Sequence, residues 1–103
     1  MNDWKFKDPK NLAVISKRKI FRSGSWIAYV SHDVEDESWQ FYGDEAEVDH
    51  DDLILVGLVE VVELDETVAQ LADLPLGWHA WRDTKTSPWK RGKMPPELPG
   101  STS

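Results

Sequence analysis

The chain has 103 residues and a formal charge of −7, and its 40% hydrophobic content suits one buried core in a domain of ordinary size. The absence of cysteine excludes disulfides, thiolate metal ligands and a cysteine nucleophile. An acidic balance weighs against nucleic acid or anionic membrane as a partner for the bulk of the surface. The longest apolar run, Leu53 to Val59, is far short of the roughly 20 residues that span a bilayer, and MNDWKFKDPKN has no apolar signal segment. The reading is a soluble cytoplasmic protein.

Charge is unevenly placed. Between Arg22 and Arg82 there is no lysine or arginine but fifteen aspartates and glutamates, ten of them from Asp33 to Asp52. All twelve basic residues lie outside this block. Such a concentration costs stability through self-repulsion and projects a negative field.

In chain order, residues 1–10 read as a short arm ended by Pro9. Leu12-Ala13-Val14-Ile15 fits a buried strand, and Lys17 to Ser25 a connector closed by Ser23-Gly24-Ser25, where Gly24 can take a positive φ. Trp26 to Ser31 and Trp39 to Tyr42 are aromatic and β-branched, and pair as antiparallel neighbours across a polar loop. In the second, Trp39 and Phe41 share one face and Gln40 and Tyr42 the other. Gly43 to Asp52 is a loop or a marginal helical turn. Valine density makes Leu53 to Leu64 a strand, kinked or bulged at Gly57. Asp65 caps a short helix with Val68, Leu71 and Ala72 on its apolar face, stopped by Pro75.

Gly77 to Arg82 is a last strand, with Trp78 and Ala80 on one face and His79 and Trp81 on the other. Four prolines after Asp83 mark a loose tail over residues 84–103, its start pinned by Trp89. The sum is a single α+β domain over residues 11–83, with a mostly antiparallel sheet of about five strands and one or two short helices.

Catalytic and metal chemistry find little support. The acidic segments lack the spacing of a calcium loop, and His32, His50 and His79 are remote from one another. Ser25 lacks the flanking glycines of a nucleophile elbow, and no glycine-rich phosphate loop exists. The reading is non-enzymatic, without cofactor or metal. Nucleic-acid contact would rest on Lys17-Arg18-Lys19, Arg22 and the basic C-terminal segment, which serve as readily to neutralise the acidic middle. A protein partner fits better. Trp39, Asp44, Glu45, Glu47, Asp49, Asp51 and Asp52 form a candidate surface for a basic protein, with charge speeding encounter and the aromatic anchoring it. The bland alternative is a solvated acidic loop.

The stretch Trp39-Gln40-Phe41-Tyr42-Gly43-Asp44-Glu45 resembles the W-x-F-x-x-G-D-E signature of a bacterial family, domain of unknown function 2185, also called the immunity protein 33 family. One residue fewer separates Phe41 from Gly43 here. The likeness continues through Gly57, Val61 to Leu64, Asp65, Leu71 and Pro75-x-Gly77, and covers about Leu12 to Asp83. It implies an α+β domain and an immunity protein that binds and neutralises a cognate toxin, with no catalytic residues. The Lys17-Arg18-Lys19 connector and the Pro-rich tail depart from the pattern. The alternative is an accessory or regulatory domain with no toxin partner.

Overall fold

The computed structural model describes residues 4–22, 24–35, 37–44 and 50–94. Strand β1 (Ala13–Lys17) runs into helix α1 (Arg18–Arg22), followed by β2 (Tyr29–His32) and β3 (Trp39–Tyr42). A 3-10 turn at His50–Asp52 leads into β4 (Leu53–Gly57) and directly on into α2 (Leu58–Leu64). A 3-10 helix (Glu66–Leu71), β5 (Trp78–Trp81) and β6 (Lys90–Lys93) complete the order. The strands form one sheet ordered β4-β1-β3-β2-β5-β6, antiparallel throughout except for the parallel β1–β3 pair. The α+β class holds, with six strands among the described residues.

Strand alternation builds the core. Val14, Val30, Trp39, Phe41 and Ala80 point to one side of the sheet, and all are buried. Ile20 of α1, Leu58 and Val61 of α2, and Val68, Leu71 and Leu74 close over them. The antiparallel neighbours expected from sequence pair with Val30 opposite Phe41 and His32 opposite Trp39, although the first strand begins at Tyr29 rather than Trp26.

The sequence reading is corrected in four places. Leu53 to Leu64 is a strand and then a helix, with Gly57 as the junction, not one kinked strand. The Glu60 carboxylate accepts from the Gly57 N–H at 2.8 Å, capping α2 at its first turn. Leu58, Val61 and Val62 then fall at helical spacing against the core. The connector after Lys17 contains α1. The arm is docked, for Phe6 is buried and Trp4 packs on the core cluster. Residues 90–93, placed by sequence in a loose tail, add the edge strand β6 against β5.

Asp65 caps as its sequence position suggests, accepting from Thr67 N–H at 3.0 Å, although the helix it starts is 3-10 rather than α. Its other oxygen holds Arg82 at 2.5 Å. The buried Arg82 guanidinium also donates to Ile27 O at 2.9 Å and Thr67 Oγ1 at 3.0 Å. It lies 4.2 Å from the Trp89 ring, whose indole N–H reaches Thr67 Oγ1 at 3.1 Å. Trp89 thus pins the start of the C-terminal segment. Burial pushes the Asp65 carboxyl up, but hydrogen bonds from Thr67 and the Arg82 guanidinium outweigh it and hold the group below its ordinary value.

Candidate functional site

The helices occupy one side of the sheet and leave residues of the opposite parity on the other. Register sets Tyr42, Tyr29 and Trp81 in one cross-strand row. A second row runs Leu55, Ile15, Gln40, Ser31, His79. Ser31 is buried between its larger neighbours, whereas Leu55 is 71% exposed and the others are half-buried.

Ring contacts organise this face. Tyr29 and Tyr42 stack with centroids 6.5 Å apart, His79 meets Tyr29 edge-on at 5.5 Å, and His79 and Trp81 lie 5.1 Å apart. The Tyr29 hydroxyl and His79 Nδ1 are 2.9 Å apart. The Tyr42 hydroxyl donates to Gln40, whose amide donates to Asp33. Burial, and then the Asp33 charge, push both phenols above their ordinary values, so they remain neutral donors at physiological pH.

Acidic side chains rim the Tyr42–Trp81 end. Asp44 follows Tyr42 by two residues and Asp83 follows Trp81 by two, and both are exposed. Asp83 is ion-paired with Lys90 at 3.3 Å. Neutral aromatic faces bordered by carboxylates attract a lysine or arginine side chain, through the ring quadrupole and through charge.

The sequence-predicted site is only partly assembled. Trp39 is 1% exposed and belongs to the core, not to a surface. Its indole N–H donates to Asp8 at 2.9 Å, and its ring stacks on His32 at 3.9 Å and meets Phe6 edge-on at 5.2 Å. Asp52 is also committed to structure: it accepts from Lys19 N–H at 3.2 Å and lies 3.7 Å from Arg18. Asp44 and Asp51 are exposed. Glu45, Glu47 and Asp49 lie outside the described residues.

Topology explains Asp52. Leu53 pairs with Lys17 at the C-terminal end of β1, so Asp51 and Asp52, just before β4, lie beside the start of α1. Arg18 also donates to Asp51 O at 3.2 Å. With Arg82 on Asp65 and Arg91 on Asp73, the basic ends meet acids of the middle block.

A cleft of about 480 Å³ lies on the helical side, lined by Lys7, Asp8, His32, Glu37, Asp73 and Leu74 among others. The His32 Nδ1 lies 2.8 Å from Leu74 O, and since a carbonyl only accepts, Nδ1 carries the proton. Asp8 is bound to Trp39 and Asp73 to Arg91. Asp8, His32 and Asp73 are thus engaged by internal bonds and stacking. Among the described residues no group of three or more His, Asp or Glu is placed to hold a metal, and no helix is long and apolar enough to cross a membrane.

Tyr29, Tyr42, His79, Trp81 and Leu55 were not picked out from sequence. Their alternation was legible there, but not which side of the sheet the helices would take. Neither family models, nor curated proteins, nor solved structures contain a match to this chain.

Proposed function

We propose that the chain is a non-enzymatic, cytoplasmic protein-binding domain whose partner is basic, and that it acts as an immunity protein neutralising a cognate toxin. The observation that carries the binding reading is the half-exposed aromatic row Tyr42–Tyr29–Trp81 on a sheet face that no helix among the described residues covers, ending at the exposed Asp44 and Asp83. Aromatic rings desolvate well and supply residence time, while the carboxylates steer and select. The immunity role rests on the family-like signature, whose Gly43-Asp44 lies beside this row. Trp39 is buried, so in this reading the anchors are Trp81 and the two tyrosines.

The test is capture of the neighbouring gene product by the purified chain at low and high salt, followed by two variants. Asp44→Lys should slow association and flatten its salt dependence. Trp81→Ala should speed dissociation about tenfold or more, as loss of an aromatic anchor does. Binding unchanged in both folded variants would remove this face from the interface.

A further inference from the structure

The two edges of the sheet differ in kind. β6 reads Lys-Arg-Gly-Lys, a charged edge that resists pairing with another chain. β4 reads Leu-Ile-Leu-Val-Gly with no charge and no proline. None of its five residues is buried, and Leu55 at its centre is 71% exposed. An uncharged apolar edge is a template for strand addition.

The hydrogen-bond parity of β4 shows what that edge offers. Leu58 N–H donates to Leu12 O at 2.9 Å, which fixes the alternation of the antiparallel ladder with β1. Val56 opposite Val14 and Ile54 opposite Ser16 are then the hydrogen-bonded pairs. Leu53, Leu55 and Gly57 therefore turn their N–H and C=O groups away from β1. Glu60 accepts from the Gly57 N–H, closing the outer ladder at that end. Leu53 and Leu55 face outward, and among the described residues no element pairs beyond β4.

We propose that β4 pairs antiparallel with β4 of a second copy of this chain, about a twofold axis at Leu55, joining the two sheets edge to edge. The strand is self-complementary in this register. Leu55 meets Leu55 of the second copy, Ile54 meets Val56, and Leu53 meets Gly57, which leaves it room. The occupant follows from this self-complementarity, since the same outward N–H and C=O groups of Leu53 and Leu55 serve both copies. A β4-to-β6 contact would instead propagate without closing, and the basic β6 edge opposes it. A strand of five residues falls below the roughly 1,200 Å² of a standard interface, so the dimer is weak and concentration-dependent. It leaves the aromatic face open and does not depend on the function proposed above.

Sedimentation equilibrium over a concentration series tests this. The full chain should pass from monomer to dimer in the high-micromolar range. Leu55→Lys should be monomeric throughout with an unchanged circular dichroism spectrum. Leu55→Pro should also be monomeric, because it deletes an outward N–H and spares the ladder with β1. A chain that stays monomeric up to about 1 mM overturns the proposal. So does a dimer that persists in either folded variant.

Discussion

Replacing Arg82 by methionine tests the account of what joins the C-terminal half of the fold. Methionine keeps an unbranched stem between Trp26 and Trp89 but removes every donor. Asp65, whose side chain is 15% exposed, would keep its charge without its partner, and Ile27 O would lose the Arg82 Nε–H. Breaking a buried ion pair costs about 3–5 kcal/mol, and partial exposure puts this one near the lower limit. An orphaned carbonyl adds about 1 kcal/mol. The expected loss is therefore roughly 3–4 kcal/mol.

For a urea slope of about 1.5 kcal/mol/M, the midpoint should fall by about 2 M. The pH dependence separates the ion pair from simple packing. A carboxyl held below its ordinary value contributes stability that is present above the unfolded pKa near 4, and that stability is lost as pH falls through the folded value. The gap between wild type and Arg82→Met should therefore narrow from pH 7 to about pH 3. A loss under about 1 kcal/mol at pH 7, or the same loss at both pH values, would refute the reasoning.

Two paired comparisons test other local claims. Gly77 has φ +83°, and a Cβ there would lie 2.9 Å from Val34 Cγ2, whereas Gly24 at φ +74° has open space around it. Gly77→Ala should cost about 2–3 kcal/mol and Gly24→Ala about 1 kcal/mol, read as the difference in melting temperature. Equal effects would mean that Val34 yields freely. Asp52→Ala should cost about 1 kcal/mol by uncapping the Lys19 N–H, while Asp44→Ala should stay within about 0.5 kcal/mol in denaturant melts. A reversed order would place Asp44, not Asp52, in the framework.

Much of the framework was legible because it depends on short-range rules. Alternation in Trp39 to Tyr42 separates Trp39 and Phe41 from Gln40 and Tyr42, and the structure keeps that division. Asp65 caps because a short carboxylate before a helical turn reaches the N–H two residues on. Over Leu53 to Leu64 two local signals conflict: valine density favours a strand, while the i, i+3, i+4 spacing of Leu58, Val61 and Val62 favours a helix. The Glu60 cap on Gly57 and the core facing α2 decide in favour of the helix. The site was less legible. A tryptophan beside an acidic loop looks the same in sequence whether it faces solvent or the core.

Sequence by itself determined the class, the strand alternation, the Asp65 cap and the segregation of charge, since each follows from neighbouring residues. Only the tertiary structure decided which sheet face the helices cover, that Trp39 is core and Trp81 half-exposed, and that Asp52 serves α1. It alone made β4 an uncharged edge and recruited residues 90–93 as the opposite one. These outcomes depend on contacts between residues distant in the chain, and local propensity carries no information about such partners.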